Sequence, residues 1–278
     1  MELFPIYIDN GYIDDIIERI LIEGGNSMNI TQEFYDSLAS HYSKLFQDIE
    51  ETMQEQAEML DRLFTDNGYD KDAKVLDCAC GIGTQTLGLA SLGYNMSSSD
   101  ISSKAMLEAK WEAVRRNLTI RFAYIDFRKL ADAFKDKFDI IIAIDNALPH
   151  MTSKEDLKTA VESIVNQLED GGMFVASIRD YDALLKTKPP YSPPYIHDTE
   201  NGQRVSFQTW KWEGENYKLV QYIIEDEENL EVKKFACEYR AVRRAELTGL
   251  LTLCGCKSVE WKFPEETGFY QPIVIAKK

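Results

Sequence analysis

A turn with two glycines follows a short apolar run near residue 75. Residues 75–84 read VLDCACGIGT, in which Gly81 and Gly83 come directly before a helical pattern. Because glycine has no Cβ, the backbone of such a turn can approach a bound ligand closely. Two glycines separated by one residue also occur in many ordinary tight turns. The turn is therefore a candidate ligand site only if neighbouring residues support it.

Acidic residues follow three successive expected strands. Asp77 ends the first, Asp100 the second, and Asp126 with Phe127 the third. A carboxylate after the second strand can accept hydrogen bonds from both hydroxyls of a ribose. Asp126 can accept one from an exocyclic adenine amine, while the Phe127 amide meets a ring nitrogen. Each aspartate alone would be interpreted as a helix cap or turn residue, but their joint placement predicts a nucleoside site.

A dinucleotide-binding oxidoreductase would place an acidic residue on the ribose in the same way. Its first turn, however, has a third glycine that packs the helix against the pyrophosphate. The turn at Gly81 and Gly83 lacks this glycine, and Asp77 would repel a pyrophosphate. An acidic residue there suits a positively charged nucleoside, so the oxidoreductase is the disfavoured alternative.

The elements that must position these residues alternate between strands and helices. The expected strands are Val75-Leu76, Tyr94–Ser98, Ile120–Tyr124, Phe138–Ile144 and Gly172–Ile178, and the expected helices are Thr84–Leu92, Ser103–Arg116 and Lys154–Leu168. This alternation favours parallel strands joined by crossover helices. The predicted fold class is α/β, a doubly wound Rossmann-like sheet with ligands beyond the carboxyl ends of its strands.

The flanking regions have different patterns. Apolar residues recur every three or four positions over residues 33–64, which indicates one or two amphipathic helices, and a short helix is expected around residues 14–25. After the core, the proline-rich KPPYSPPY precedes runs typical of antiparallel strands. We expect a helical cap over 1–72, the core over 73–182, an antiparallel lid over 183–243, and a helix and strand over 244–278 that complete the core sheet.

Three short motifs carry a family resemblance. Residues 145–151 read DNALPHM after the fourth strand, residues 179–182 read RDYD after the fifth, and residues 268–272 read GFYQP near the end. With the glycine turn and the strand-end aspartates, the chain resembles class I S-adenosylmethionine-dependent methyltransferases over roughly residues 33–178. Within that class it is similar to glycine and glycine/sarcosine N-methyltransferases.

The resemblance implies S-adenosylmethionine as cofactor and roles for particular residues. Asn146 would lie beside the methyl group and the acceptor nitrogen, His150 would shape that loop, and Arg179 would hold an acceptor carboxylate. Tyr270 would line the sulfonium pocket, with Tyr191 and Tyr195 as further candidates. The cofactor-binding residues would be Tyr35, Tyr42, Gln56, Asp77, Ala79, Gly81, Gly83, Asp100, Ile101, Asp126, Phe127 and Asp145.

This chain departs from the resemblance at one place. Animal enzymes of this kind carry an arginine in the N-terminal helix, where residues 50–56 here read EETMQEQ. Contact with the methionine carboxylate would then come from Gln56 or a turn amide, and this departure leaves the identity of the substrate undetermined.

Arg179 is suited to binding a carboxylate, since a planar guanidinium can hold one by two parallel hydrogen bonds. The structural alternative is a surface arginine paired with Asp180 or Asp182.

Composition limits the classes of partner. The formal net charge of −16 would repel a nucleic acid backbone, and no run approaches a membrane span. The five cysteines are an odd number, which argues against a disulfide framework and fits a reducing cytoplasm. We interpret the two C-x-C pairs as buried thiols rather than a metal site. A homo-oligomer stays open.

The expected reaction is methyl transfer to a small molecule, most simply the amine of glycine, sarcosine or a related amino acid. Displacement at a sulfonium needs alignment and exclusion of water more than a strong nucleophile. The amine must be neutral, and we expect the Asn146 side chain and a tyrosine hydroxyl to hold its protons. Alternatives are another small acceptor, such as a carboxylate, phenol or thiol, and a non-catalytic nucleoside-binding protein.

Overall fold

The computed structural model describes residues 30–200, 202–225 and 230–278. The helix expected around residues 14–25 lies outside these ranges. Eleven strands are described: β1 (Lys74–Asp77), β2 (Asn95–Asp100), β3 (Arg121–Tyr124), β4 (Phe138–Ala143), β5 (Leu168–Ser177), β6 (Tyr195–Thr199), β7 (Gly202–Glu213), β8 (Asn216–Glu225), β9 (Glu231–Arg240), β10 (Ser258–Lys262) and β11 (Ile273–Lys277).

Helices connect the strands and precede the sheet. The α-helices are α1 (Ile30–Leu38), α2 (Ile49–Asp66), α3 (Thr84–Ser91), α4 (Ser103–Arg115), α5 (Leu130–Ala133), α6 (Lys154–Gln167), α7 (Tyr181–Thr187), α8 (Arg244–Leu253) and α9 (Pro264–Thr267). Short 3-10 helices cover Ala39–Leu45, Phe127–Lys129 and Leu148–His150. The predicted amphipathic stretch of residues 33–64 is thus divided, and the division occurs where Asp48 caps α2 by accepting from the amides of Glu50 and Glu51.

The main sheet has seven strands in the order β10-β11-β5-β4-β1-β2-β3. Strands β1 to β5 are parallel, whereas β11 pairs antiparallel with both β5 and β10. The order reverses between β1 and β4, so their carboxyl ends form the crevice in which such sheets bind ligands. The sequence pattern does not predict strand β10. Its sequence SVEWK mixes apolar and charged residues, and none of these residues is fully buried at the edge of the sheet.

A second sheet has four antiparallel strands in the order β6-β7-β8-β9 and lies in sequence between β5 and β11. It confirms the antiparallel insertion after the fifth strand, and with the main sheet it confirms the α/β Rossmann-like fold class. Strand β6 covers residues 195–199, directly after the proline-rich loop, where no strand was expected. The register of β7 with β8 pairs Arg204 with Glu225 and Glu213 with Asn216.

Apolar side chains cover both faces of the main sheet. Leu76, Ile141 and Phe174 lie in a cluster on one face, while Val75 and Ile140 lie in a cluster on the other. Alternate residues of a strand point to opposite faces, so strands buried on both sides contain continuous apolar runs. In the described ranges, no helix is both long and apolar enough to cross a membrane.

Candidate functional site

A cavity of about 740 Å³, including its open mouth, lies at the carboxyl ends of β1, β2 and β4. Most of the residues predicted to bind the cofactor lie in its wall: Tyr35, Tyr42, Ala79, Gly81, Asp100, Ile101, Asp126, Phe127 and Asp145, together with His150. The wall is acidic, and no lysine or arginine from the described part of the chain lines it.

The other predicted residues lie outside the cavity wall. Asp77 and Gly83 are part of the turn beneath it, and Gln56 contacts a residue of the wall. Asn146, Arg179 and Tyr270 are joined to the wall or to its loops by hydrogen bonds. The loop tyrosines Tyr191 and Tyr195 are both more than 60% exposed and do not line the cavity.

The turn after β1 depends on two left-handed glycines. Gly81 has φ +53°, and a Cβ there would meet no atom within 4 Å. Gly83 has φ +95°, and a Cβ there would lie 3.0–3.1 Å from Leu87 and Ala109. Gly83 therefore permits close packing at the start of α3, while Gly81 provides an uncrowded turn facing the cavity.

Asp77 stabilises this turn from beneath. The side chain is 1% exposed, and its two oxygens accept hydrogen bonds from the Ala79 amide and the Thr86 hydroxyl. Burial raises the pKa of Asp77 to about 7, although these two bonds oppose the shift. Asp77 thus holds the turn in place beneath the cavity without lining it.

Asp100 lies at the end of β2, in the cavity wall. One carboxylate oxygen accepts from the Gly81 amide at 2.8 Å and the other from the Ser102 amide at 2.8 Å. Burial raises the pKa of Asp100 to about 6, against the opposing effect of these backbone bonds. Each oxygen retains a lone pair, so the carboxylate can still accept hydrogen bonds from two hydroxyls of a ligand.

Asp126 has two roles in the structure. It caps the 3-10 helix Phe127–Lys129 by accepting from the Arg128 amide, and its carboxylate pairs with the Arg128 guanidinium at 2.6 Å. Arg128 also pairs with Asp156 at 2.6 Å. The charge of Asp126 is therefore compensated by Arg128. Asp126 both caps the 3-10 helix, as the alternative interpretation predicts, and lines the cavity wall.

Asp145 joins the cavity wall to α2 and to the C-terminal region. One oxygen accepts from the Tyr270 hydroxyl at 2.8 Å and the other from the Gln85 side-chain amide at 2.9 Å. Gln85 also donates to Gln56 at 2.6 Å. Burial raises the pKa of Asp145, which the bonds from Tyr270 and Gln85 oppose. Gln85, which lines the cavity, was missed because its position in the first turn of α3 has no distinctive sequence signal.

Asp145 and Asn146 are consecutive non-glycine residues in the left-handed region, with φ +58° and +67°. Such conformations are held only where surrounding bonds require them, and they cluster at functional sites. The two backbone amides donate to the side chain and the carbonyl of Ser177. The Asn146 Oδ1 accepts from the Arg179 amide and from the Tyr181 hydroxyl, both at 3.1 Å.

Those bonds determine the orientation of the Asn146 side chain. A backbone N–H can only donate, so the atom facing the Arg179 amide must be the side-chain oxygen. The Nδ2 atom is buried and has no hydrogen-bond partner among the described residues. A free donor is thus present directly after β4.

Arg179 is half-buried at the end of β5. Its guanidinium donates to the Tyr217 hydroxyl at 2.8 Å and to Gln208 Oε1 at 2.9 Å. It lies over the rings of Trp210 and Tyr239, 5.1 and 5.4 Å from their centroids. Within the described ranges, no acidic side chain pairs with it.

The structure does not show the alternative pairing of Arg179 with its acidic neighbours. Asp180 and Asp182 pair instead with Arg244, at 2.6 and 3.4 Å. The physical reason is that Arg179 points toward the inserted sheet, whose residues Tyr217 and Gln208 it contacts.

His150 connects the cavity to the inserted sheet. Its Nε2 lies 3.0 Å from the Tyr35 hydroxyl, and its ring packs 4.1 Å from that of Tyr239 on β9. Burial lowers the pKa of His150 to about 3, so the side chain is neutral at physiological pH. It therefore contributes shape and a hydrogen bond rather than charge.

Comparisons with known proteins agree with this geometry. A family model described as "Methyltransferase domain" matches residues 75–172. A glycine/sarcosine N-methyltransferase from Aphanothece halophytica is 27% identical over 138 residues, 45% of this chain and 52% of that protein. A glycine N-methyltransferase from Rattus norvegicus is 29% identical over 126 residues, 41% of this chain and 43% of that protein. The chain thus matches about half of the length of these curated relatives.

Solved structures share the fold over most of the chain. A crystal structure of an S-adenosylmethionine-dependent methyltransferase from Clostridium acetobutylicum has a TM-score of 0.69 and 20% identity, covering 87% of this chain and 98% of the other. An amino pentose methyltransferase from Micromonospora echinaspora, solved with S-adenosylmethionine bound, has a TM-score of 0.66 and 13% identity, covering 99% of both chains.

The residues of the cavity fit the cofactor that these proteins use. S-adenosylmethionine is a nucleoside with a positive sulfonium, and it is complemented by the Asp100 carboxylate, the open turn at Gly81 and an acidic wall. The cofactor of this chain is S-adenosylmethionine. Residues 75–172 therefore match a methyltransferase domain, and the fold of the chain is that of S-adenosylmethionine-dependent methyltransferases of known structure.

Proposed function

We propose that the protein methylates the amine of a small molecule that also carries a carboxylate, such as glycine, sarcosine or a related amino acid. The main observation behind this acceptor is Arg179, a half-buried cation whose described partners are all neutral. Removing a charge from water is costly unless an opposite charge or strong hydrogen bonds compensate it. A carboxylate from the acceptor would supply that compensation.

Asn146 supports the same anionic group. Its free atom is the donor Nδ2, whereas its oxygen already accepts from Arg179 and Tyr181. A free donor suits a carboxylate oxygen and cannot accept a proton from an amine. We therefore revise the expectation that Asn146 holds the amine protons, and assign it with Arg179 to the acceptor carboxylate.

Tyrosine hydroxyls are better placed for the amine. The Tyr270 hydroxyl donates a hydrogen bond to Asp145, so its oxygen is still available to accept a hydrogen bond from an amine N–H. Tyr35 and Tyr42 line the cavity nearby. When bound, S-adenosylmethionine would supply a methyl group to the amine nitrogen and leave as S-adenosylhomocysteine, and the methylated ammonium would then release one proton to water. The chain's residues need only keep the amine neutral, align it and exclude water.

Turnover with a panel of acceptors tests the proposal. Purified protein is incubated with S-adenosylmethionine and glycine, sarcosine, glycinamide, ethanolamine, a phenol or a thiol, and release of S-adenosylhomocysteine is measured. We expect glycine or sarcosine to exceed the matched neutral amine glycinamide in kcat/KM. Turnover confined to neutral amines, phenols or thiols would reject the acceptor assignment. Calorimetric binding of S-adenosylmethionine without turnover of any acceptor would instead indicate a non-catalytic binding protein.

A further inference from the structure

Two glutamine side chains on the inserted sheet lie behind Arg179. Gln208 is on β7 and Gln221 is on β8, and the register places the two residues opposite each other. Gln208 Nε2 donates to Gln221 Oε1 at 2.9 Å. The Gln221 side chain is 4% exposed, so its hydrogen bonds are shielded from water.

The orientation of each amide follows from its partners. Gln221 Nε2 donates to the backbone carbonyls of Phe207 and Tyr222, at 3.1 and 3.0 Å. Carbonyls can only accept, so Gln221 must present its oxygen to Gln208. Gln208 must then present its own oxygen in the opposite direction, toward Arg179.

The oxygen of Gln208 accepts two hydrogen bonds from groups that can only donate. These are Arg179 Nη2 at 2.9 Å and the Trp210 indole N–H at 3.1 Å. The Trp210 ring lies against the Arg179 guanidinium. One amide oxygen therefore positions both the cation and an aromatic ring beside it, and polarised chains of this kind are rigid when every member is satisfied.

Because Gln208 is neutral, it does not compensate the positive charge of Arg179. A glutamate of nearly the same shape would neutralise Arg179 within the protein, whereas an amide fixes the guanidinium and leaves its positive charge for a ligand. The nearby carboxylates of Asp180 and Asp182 are already paired with Arg244. The side chain at position 208 thus determines whether Arg179 can bind an external anion.

We propose that the Gln208–Gln221 amide pair positions Arg179 and keeps its charge unpaired, so that Gln208 is the residue that selects carboxylate-bearing acceptors over neutral ones. This proposal rests on the proposed function, in which Arg179 binds the acceptor carboxylate. Gln208 acts through Arg179 and is a positioning residue; Gln221 fixes the direction of Gln208.

Charge and positioning are separated by two substitutions at one site. Gln208→Glu supplies an internal carboxylate, whereas Gln208→Met keeps the length without a hydrogen bond or a charge. Gln203→Glu, at an exposed position of the same strand, adds the same charge away from Arg179 and is the matched control. For each protein, S-adenosylmethionine affinity, melting temperature, and KM and kcat for glycine, sarcosine and glycinamide are measured.

We expect Gln208→Glu to raise KM for glycine and sarcosine by about tenfold or more, with KM for glycinamide unchanged or lower. Gln208→Met should weaken glycine and sarcosine without favouring glycinamide, and Gln203→Glu should match the wild type. Cofactor affinity should be the same in all four proteins. An unchanged ratio of glycine to glycinamide kcat/KM in folded Gln208→Glu would overturn the proposal while the proposed function stands.

A binding measurement separates this proposal from the reaction itself. The protein loaded with S-adenosylhomocysteine is titrated calorimetrically with acetate and with acetamide. We expect acetate to bind the wild type and to bind Gln208→Glu at least about tenfold more weakly. If the wild type binds acetate but methylates no carboxylate-bearing amine, the proposed function fails and the role of Gln208 stands. If the wild type does not bind acetate, the charge of Arg179 is not available and the role of Gln208 is rejected. Should Gln208→Glu not fold, Gln208→Met in the same titration must show weakened acetate binding.

Discussion

The carboxylate of Asp100 is held in place by the backbone on both of its oxygens. The Gly81 amide donates to one oxygen and the Ser102 amide to the other, each at 2.8 Å. Its direction is therefore fixed before any ligand arrives. Preorganised acceptors of this kind lose little entropy on binding, which makes Asp100 the residue whose removal should most directly affect the cofactor.

Asp100→Ala should weaken S-adenosylmethionine binding by about 2 kcal/mol or more, roughly thirtyfold, because two charge-assisted hydrogen bonds are lost. The affinity is measured by calorimetry. Asp66→Ala, which removes an exposed carboxylate at the end of α2, serves as the control and should bind as the wild type does. Wild-type affinity in a folded Asp100→Ala protein would exclude a contact between Asp100 and the ribose.

Arg179→Lys keeps a positive charge but loses the two-pronged geometry of the guanidinium. We expect a raised KM for glycine or sarcosine or a lowered kcat, with intact cofactor affinity. Arg179→Ala should reduce kcat/KM further, by an amount that corresponds to about 2 to 4 kcal/mol of lost transition-state stabilisation. Arg115→Ala, at an exposed position of α4, is the control. Unchanged acceptor kinetics with a lower melting temperature would show that Arg179 is structural.

At the scale of elements, the contact between α2 and α3 connects a helix that precedes the main sheet to the cavity wall. Gly88 on α3 lies against α2, and a Cβ built there would be 2.8 Å from the Met53 carbonyl oxygen and from the Ala57 Cβ. The same pair of helices holds Gln56 against Gln85, which donates to Asp145. Spacing between these helices therefore affects one side of the cavity.

Gly88→Ala should destabilise the protein by about 1–3 kcal/mol, because the added methyl group must push α2 away. It should also weaken cofactor binding through the Gln56–Gln85 contact. Gly249→Ala is the matched control, since a Cβ at this helical position meets no atom within 4 Å. That change should stabilise the protein by about 0.5–1 kcal/mol through helix propensity. Urea unfolding measures both, and equal effects of the two substitutions would contradict the tight packing.

At the scale of the whole molecule, the buried carboxylates make stability and ligand binding respond to pH in opposite directions. Burial raises the pKa of Asp77 to about 7 and that of Asp100 to about 6, while the ordinary value of an aspartate is 3.8. The folded state thus binds these protons more tightly than the unfolded state does. The stability that they contribute is full below pH 3.8 and is lost as the pH rises through 6 to 7.

The melting temperature of the wild type relative to Asp77→Asn should fall as the pH rises from 5 to 8, because the variant has no buried group to ionise. The affinity of the wild type for S-adenosylmethionine should fall below about pH 6, since a protonated Asp100 is a poorer acceptor and no longer attracts a cation. Asp100→Asn should lack that fall. A constant difference in melting temperature from pH 5 to 8 would reject the raised pKa of Asp77.

The sequence by itself determined the fold class and the position of the cofactor cavity. Parallel strands end at one edge of a sheet, so acidic residues after successive strands, such as Asp100, Asp126 and Asp145, had to meet there whatever their exact contacts. The pattern of apolar runs also predicted the antiparallel insertion, since its period differs from that of the helices.

Only the tertiary structure decided which atoms of the site are free to act. Gln85 contacts residues 29 and 60 positions away in the chain, and Arg179 contacts Gln208 from 29 positions away. The free donor of Asn146 is known only because Arg179 and Tyr181 occupy its oxygen. Periodicity in sequence reports which face of an element is buried, but hydrogen-bond partners depend on how separate elements pack, and so these contacts have no local signature.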